Sequence, residues 1–437
     1  MKKYLMFIIL LILPFLLVGC TPQENEGLVL RVYNWQDYID DGLDDDGNQI
    51  STPVIDLWVE DYKARTGITV EVVYDTFETN ETMLNTLKTG KSDYDLVCPS
   101  DYAIQKMIKE DMLEKFDTTK LPIYNKYGSP YLKELFEQNN WTEYSVPYMW
   151  GTVGLLYDPE VYTEELVSSW DIMWNPEYRN LATTKDSVRD TYFVGVMHVY
   201  QEELNDLRAK YQNNEITGDE YNKQVHIIMN RTDEETLRLV EADLKIMKEN
   251  IFGLEVDSGK SDMVTGKISM NLAWSGDAVY SMDLAEEEDD KVLSYSVPLE
   301  GSNVWYDGWV MPKGANVSLA TDFVDFLSKP EIAVLNMNKI GYTSAVAGDA
   351  ILEMISDWYG PESSETAVEV DLTYFFGDTV ETNEDGKVII EIDEWYIGRQ
   401  FSAQYPDYET IMRCGVMEDF GDQNQATSGL KILGFFM

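Results

Sequence analysis

The feature that most constrains the fold is a regular alternation of strand-like and helix-like segments near the start of the chain. Residues 28–33 and 68–74 alternate as strands do, whereas 55–62 place apolar side chains on one helical face. Residues 81–88 predict a second helix, and 95–98 a short buried strand. This β-α-β-α-β order is typical of α/β domains with largely parallel strands, in which loops after the strands' carboxyl ends collect ligand-binding residues.

A second α/β pattern begins near residue 148. Strands are predicted at 152–157 and 268–274, and another ends within 183–190. Thr232 and Glu235 have the spacing of a capping box that opens an amphipathic helix. Two such patterns in 437 residues indicate at least two domains.

The remaining segments are less regular. We interpret the acidic run 286–290 as a solvated loop and the acidic region 358–392 as an irregular insertion. A strand follows from Trp309, and then a helix that is broken at Pro330. The last forty or so residues are expected to be helical.

The N-terminus has the order of an export signal. Lys2 and Lys3 precede an almost wholly apolar stretch at 4–18, which is shorter than the roughly 20 residues that a spanning helix needs. Cys20 directly follows Leu-Val-Gly, as in the bacterial lipobox. We therefore expect residues 1–19 to be a lipoprotein signal peptide, Cys20 to carry the lipid, and 20–27 to form a tether. The alternative is an ordinary secretory signal with a chance cysteine.

The composition, with 44% hydrophobic and 12% aromatic residues, argues for a packed globular protein of strong negative charge. The chain has 33 basic and 79 acidic residues, a net charge of −46, which becomes −48 when signal removal deletes two lysines. Such charge argues against nucleic-acid binding and favours small cations. A strongly acidic extracellular surface unrelated to ligand choice explains most of these carboxylates equally well.

Several common sites are not supported. Beyond Cys20 there are only Cys98 and Cys414, which we expect to be two independent buried thiols although a disulfide is conceivable. With two histidines and no Cys/His cluster, neither a metal site nor a histidine-dependent nucleophile is expected. A phosphate-binding loop ending at 89–92 fails because Asn85 stands where its first glycine belongs.

The positive signal is a repeated pairing of aromatic and polar or acidic residues at predicted strand ends. Any single pair is more often core than ligand site, but their recurrence at the ligand-facing edge of two domains favours a binding cleft. The groups are Trp35, Asp37 and Tyr38; Ser100, Asp101 and Tyr102; Asp186, Ser187 and Asp190; Trp274 and Asp277; and Trp305 and Asp307.

These groups lie within segments that, in order, resemble the bacterial spermidine/putrescine-binding proteins. The resemblance covers most of the mature chain, with extra residues near 40–52, 200–262 and 360–392. The matching segments are 33–38, 94–102, 146–151, 170–178, 186–190, 273–276, 305–307 and 340–343.

The resemblance implies a periplasmic-binding-protein-like type II fold, in which two α/β lobes are joined by crossing strands with a ligand cleft between them. Lobe 1 is expected to comprise 28–146 plus 309–345, and lobe 2 to comprise 147–308 plus 346–437. Such proteins hand their ligand to ABC transporter permease subunits, need no cofactor and catalyse nothing. Residues 148–151 and the stretch that leads into Trp309 are the hinge candidates.

The resemblance also implies the site, with aromatic faces around the methylene chain and acids at the amines. Asp307 is similar to the carboxylate that holds an amine, Asp190 stands where the family has a glutamate, and Ser100 would hydrogen-bond to an amine. Two departures, Ser187 for an aspartate and Met417 for a glutamine, leave the choice of polyamine open. The expected ligand-binding residues are Trp35, Asp37, Tyr38, Ser100, Tyr102, Asp186, Asp190, Trp274, Trp305, Asp307 and Tyr342.

Other functions remain open at this point. The same fold could bind a sugar, a ferric ion or a thiamine-like cation, because sugars also stack on tryptophan. Asp307 two residues after Trp305, and the scarcity of arginine and histidine near these motifs, favour an amine. A secreted glycosidase that uses two of these acids is the less favoured enzyme alternative.

Overall fold

The computed structural model describes residues 27–44, 47–90, 93–289 and 291–420. The predicted signal peptide and Cys20 therefore lie outside the described residues. Within these ranges, none of the helices combines the length and the apolar character needed to cross a bilayer.

The strands match the two predicted α/β patterns, with bounds that differ by a few residues. The strand predicted at 152–157 is the end of a much longer one. In chain order the strands are β1 Leu28–Trp35, β2 Val70–Phe77, β3 Leu96–Val97, β4 Leu113–Glu114, β5 Ser145–Tyr157, β6 Ala182–Lys185, β7 Gly253–Glu255, β8 Met270–Trp274, β9 Ser294–Ser296, β10 Ser302–Pro312, β11 Thr343–Ser344, β12 Ala367–Asp371, β13 Ile389–Asp393 and β14 Cys414–Gly415.

The helices fill the connections between these strands. They are α1 Val54–Thr66, α2 Asn80–Lys88, α3 Asp101–Lys109, α4 Pro122–Tyr127, α5 Pro130–Gln138, α6 Glu164–Val167, α7 Val188–Val199, α8 Gln201–Gln212, α9 Gly218–Met229, α10 Glu234–Asn250, α11 Gly259–Val264, α12 Ser275–Asp289, α13 Val317–Leu327, α14 Pro330–Ile340, α15 Asp349–Tyr359, α16 Thr373–Phe376, α17 Gln400–Gln404 and α18 Tyr408–Met412.

Two strands run through both halves of the molecule. The sheet order is β2-β1-β3-β10-β5-β8-β6-β7, with β1 parallel to β2 and β3, and β6 parallel to β7 and β8. At the centre, β10 and β5 are antiparallel over residues 304–310 and 145–152. Because β10 also pairs with β3 and β5 also pairs with β8, these two strands connect the parallel sheets. The hinge candidates 148–151 and Trp309 lie in them.

Each half has a hydrophobic core on its own side of the crossing strands. One core joins β1 and α1 to α13, with Trp58 and Phe323 fully buried. Another joins β5 and β8 to α7, α9 and α10, with Trp170 and Tyr192 fully buried. A third extends across both halves and includes Trp150. The proposed lobe boundaries near 147 and 309 fall within β5 and β10.

The segment after β11 packs against both halves. Helix α16 contacts α5 of the first half, whereas α17 contacts α12 of the second. The region 358–392, interpreted as irregular, contains the antiparallel pair β12–β13. Of the expected C-terminal helical stretch, α17 and α18 are short helices, and 421–437 lie outside the described residues.

Two local predictions are wrong. The N-cap of α10 is Asp233 rather than Thr232, because the Asp233 carboxylate accepts hydrogen bonds from the backbone N–H groups of residues 235 and 236. Residues 286–289 belong to α12 instead of a loop. That helix continues because Met282 and Ala285 are fully buried and Glu286 pairs with Arg399.

Cys98 and Cys414 are both buried and free, as the sequence favoured. Burial raises the pKa of each thiol. Raised pKa values of this kind are typical of inert structural cysteines, since the thiolate is the reactive form.

Candidate functional site

Asp307 lies at an irregularity in crossing strand β10. The register with β5 shifts between Asp307 and Gly308, which is the signature of a β-bulge. The Asp307 carboxylate is 7% exposed and accepts hydrogen bonds from the hydroxyls of Tyr38, at 2.8 Å, and Ser100. Among the residues that the structure describes, no lysine or arginine forms an ion pair with it.

The loop after β1 delivers Tyr38 to this carboxylate. Asp37 adopts a left-handed backbone conformation, with φ of 52°, which an aspartate tolerates better than most residues. The Tyr38 carbonyl then accepts hydrogen bonds from Asn34 Nδ2 at 3.2 Å and Tyr148 Oη at 3.0 Å. Hydrogen bonds at its backbone carbonyl and at its hydroxyl thereby fix the position of Tyr38.

Tyr342 connects the aromatic residues of the site. Its ring lies edge-on to Tyr38, with centroids 5.8 Å apart, and 5.3 Å from the ring of Trp305. Its hydroxyl donates to Asp277 Oδ1 at 2.8 Å. The ring packs directly on Gly276, where an added Cβ would lie 1.5 Å from Tyr342 Cδ1. A glycine is therefore required at this contact.

The Trp274 end of the site holds its own cation. Lys185, at the end of β6, places Nζ 4.4 Å from the Trp274 ring centroid and 2.9 Å from Glu255 Oε1. It also lies 3.5 Å from Asp277 Oδ2. Trp274 and Ser187 hydrogen-bond to the buried carboxyl of Asp190, whose pKa burial nevertheless raises.

Tyr102 joins the site through a polar bridge. Asn80 Nδ2 donates to Tyr102 Oη at 2.9 Å and to Ser100 Oγ at 3.1 Å. On the other side, the Arg189 guanidinium lies 3.8 Å from the Tyr102 ring centroid. Because Arg189 belongs to α7 and Tyr102 to α3, this cation–π contact connects the two predicted lobes.

Three predicted residues lie apart from these contacts. Trp35 is half-buried and packs against Phe77, with ring centroids 4.5 Å apart. Asp37 and Asp186 are exposed. The structure thus brings together eight of the predicted residues and places three beside them. The binding roles of all eleven stay predictions. The connected residues are Tyr38, Ser100, Tyr102, Asp190, Trp274, Trp305, Asp307 and Tyr342.

Sequence reasoning missed Lys185 and Asn80. Lys185 is a charged residue within a strand whose four positions are all buried, and a lysine beside Asp186 and Asp190 was the available signal. Asp277 belongs to the strand-end pattern with Trp274 but is not among the expected ligand-binding residues. Asn80 has no sequence signal, because its role comes from the contact between α2 and the start of α3.

Burial leaves two acids of the site weakly acidic. It raises the pKa of Asp307 to about 6, despite the hydrogen bonds from Ser100 and Tyr38. It also raises the pKa of Asp101 to about 8, an effect that Arg189 reduces and Asp307 increases. One oxygen of Asp101, Oδ2, has no hydrogen-bond partner. Above about pH 6 the Asp307 carboxylate is therefore a negative charge that no lysine or arginine of the described residues neutralises.

Asp307 is expected to make the ligand-free protein less stable as the pH rises. Its folded pKa of about 6 exceeds the value of about 3.9 in unfolded chains, so the folded state binds the proton more tightly. The free energy of unfolding therefore falls as pH rises between about 4 and 6. Asp307→Asn should gain roughly 1–3 kcal/mol over the parent protein between pH 4 and pH 7, as measured by urea unfolding. If the free energy of unfolding depended on pH in the same way in the parent and the variant, this prediction would be contradicted.

Gly276→Ala is expected to displace Tyr342. The added Cβ would lie 1.5 Å and 1.9 Å from two carbons of the Tyr342 ring, so the ring must move. The hydrogen bond from the Tyr342 hydroxyl to Asp277 is then lost. We expect a loss of about 1–3 kcal/mol in the free energy of unfolding, as is typical of overpacking. Gly253→Ala is the matched control, since no atom lies within 4 Å of its added Cβ. Equal stability of the two variants would refute the contact.

Comparison with known proteins agrees with this architecture. Residues 58–357 match the family of bacterial extracellular solute-binding proteins. The spermidine/putrescine-binding periplasmic protein of Salmonella typhimurium is 29% identical over 315 residues, which cover 72% of this chain and 76% of that protein. The putrescine-binding periplasmic protein SpuD of Pseudomonas aeruginosa is 30% identical over 320 residues, covering 71% and 76%.

A solved structure has the same fold as this chain. The spermidine/putrescine ABC transporter substrate-binding protein PotD of Streptococcus pneumoniae superposes with a TM-score of 0.61 and 25% identity, covering 94% of this chain and 98% of that one. The predicted two-lobed α/β fold of periplasmic binding proteins is confirmed. The chain belongs to the bacterial extracellular solute-binding proteins.

Proposed function

We propose that this protein captures a polyamine, spermidine or putrescine, outside the cytoplasmic membrane and delivers it to an ABC importer. The observation that carries the proposal is the buried Asp307 carboxylate, which faces hydroxyls and aromatic rings with no side-chain cation of its own in the described chain. The relatives and the PotD structure described above bear names of polyamine binding and transport.

A polyamine matches this chemistry in both of its parts. Its ammonium groups need buried negative charge, which Asp307 supplies. Its methylene linkers need flat apolar surfaces, which Trp305 and Tyr342 supply with ring centroids 5.3 Å apart. The same rings attract nearby cations. A sugar would use the rings but would leave the buried carboxylate without a counter-charge, which is costly.

The energies are sufficient for useful affinity. A hydrogen bond between an ammonium and a carboxylate contributes about 1.5–3 kcal/mol, and a cation–π contact about 0.5–2 kcal/mol. Two or three such anchors together with methylene burial reach the roughly 8 kcal/mol of a micromolar complex. These values require the exclusion of water, since exposed ion pairs contribute only about 0–1 kcal/mol. The burial of Tyr38, Trp305 and Asp307, each at most 8% exposed, provides it.

Asp307→Asn is expected to weaken polyamine binding at least tenfold at neutral pH, because the amide cannot neutralise an ammonium. This corresponds to about 1.4 kcal/mol or more. Isothermal titration calorimetry with putrescine and spermidine measures the change. Asp385→Asn, in an exposed turn, is the matched control and should bind as the parent does.

The pH dependence gives an independent check on Asp307. A cationic ligand binds the ionised carboxylate, so affinity should fall as pH decreases through about 6, the pKa of this group. The Asn variant should lack this dependence. Unchanged affinity in the variant would remove Asp307 from the site, and binding of a sugar in place of any amine would refute the proposed function.

We further propose that Cys20 anchors the protein by lipid to the outer face of the cytoplasmic membrane. The support is the order of basic, apolar and small residues before this cysteine. Residues 21–27 would then space the first strand from the membrane surface. An anchored receptor stays near its permease, which raises the local concentration of loaded protein there.

Cys20→Ser is expected to release the protein from the membrane. The full-length chain expressed in a bacterial host should partition into the detergent phase of Triton X-114, and the serine variant into the aqueous phase or the medium. Cys98→Ser, at a buried thiol outside the predicted signal peptide, should leave the partitioning unchanged. Aqueous partitioning of the unaltered chain would contradict the lipid anchor.

A further inference from the structure

The two ends of the site differ in how their acids are compensated. At one end, Asp307 accepts hydrogen bonds from neutral hydroxyls only. At the other, Lys185 Nζ lies over the Trp274 ring, 2.9 Å from Glu255 and 3.5 Å from Asp277. An ammonium on an indole face with two carboxylates around it makes the contacts that a ligand's own amine would make.

We propose that Lys185 determines specificity by filling this tryptophan-faced ammonium position, so that the site takes an aliphatic diamine in preference to a triamine. The inference rests on the proposed function, since it concerns which polyamine the same site selects. Putrescine is the probe for a diamine and spermidine the probe for a triamine.

Lys185 is fixed where it lies. It is 2% exposed, and its ammonium also reaches the Val256 carbonyl oxygen at 3.3 Å. Its partner Glu255 is itself held by Asn271 Nδ2 at 3.0 Å and by the Gly259 N–H at 2.9 Å. Separating a buried ion pair of this kind is strongly unfavourable. A ligand amine therefore does not displace the lysine.

A second lysine strengthens the positive charge at this end. Lys260 Nζ lies 3.8 Å from Asp277 Oδ1 and 2.7 Å from Asp257 Oδ1. Asp277 is thus already flanked by two ammonium groups and bonded by Tyr342. A further ammonium placed here would meet the buried Lys185 ammonium at short range, where repulsion between like charges is poorly screened.

The acid left without a cation lies at the opposite end of the site. Asp307 has no ion-pair partner in the described part of the chain. Lys185 already supplies one ammonium at the Trp274 end, so a diamine can pair one amine with Asp307 and bring only one more ammonium toward the lysine. A triamine brings two, and the added ammonium meets the like charge of Lys185.

The test compares the two amines on the mature protein by calorimetry. The parent protein should bind putrescine at least tenfold more tightly than spermidine. Lys185→Met should lower the ratio of the spermidine to the putrescine dissociation constant at least tenfold, because Asp277 and Glu255 then accept a ligand ammonium.

A second variant protects the test against unfolding. Lys185→Met leaves Glu255 buried without its cation, whereas the double variant Lys185→Met/Glu255→Gln removes both charges and keeps Asp277 available. The double variant should lower the ratio in the same direction. Lys115→Met/Glu143→Gln, which removes an exposed ion pair, is the matched control and should leave the ratio within twofold.

The outcomes separate this inference from the proposed function. If the parent binds spermidine as tightly as putrescine, or if both Lys185 variants keep the parent's ratio, the role of Lys185 is refuted while polyamine binding stands. If the parent binds neither amine, both proposals are wrong.

Discussion

A negative charge held away from water without a side-chain cation is the constraint on which the rest of this site depends. Asp307 is stabilised by two hydroxyls, yet burial still raises its pKa to about 6. Such a group weakens the ligand-free protein near neutral pH and is relieved by a bound cation. Tyr38 and Ser100 donate the hydrogen bonds to this charge, which in turn helps to raise the pKa of the neighbouring Asp101.

The packing around Tyr342 shows how the aromatic residues are fixed to this charge. Gly276 permits the ring to approach α12, while Asp277 on the same turn accepts the ring's hydroxyl. One tyrosine therefore contacts Tyr38 from the loop after β1 and Trp305 from a crossing strand. With its contacts to Gly276 and Asp277 of α12, Tyr342 joins elements from both sides of the crossing strands.

The sequence predicted the fold and most of the connected site because both follow from local patterns. The aromatic and acidic groups at predicted strand ends already contained Tyr38, Ser100, Trp274 and Asp307, and the segment resemblance added Tyr342. Lys185 was missed because its importance comes from Glu255, which is distant in the chain. The parallel pairing of β6 with β7 places the two residues side by side. The extent of β5 was also missed, since a strand buried along its whole length shows no alternation that marks where it changes partners.

The irregularity in β10 places the buried Asp307 carboxylate on one of the two strands that connect the parallel sheets. The strand changes register at Asp307, between the part that pairs with β5 near Trp150 and the part that reaches β3. In the proposed receptor, a rotation of one lobe against the other would flex β5 and β10, and a flexed β10 would reorient the carboxylate. Cation binding and lobe movement would then involve the same stretch of backbone, so the proposed permease could respond to the bound state without a separate relay.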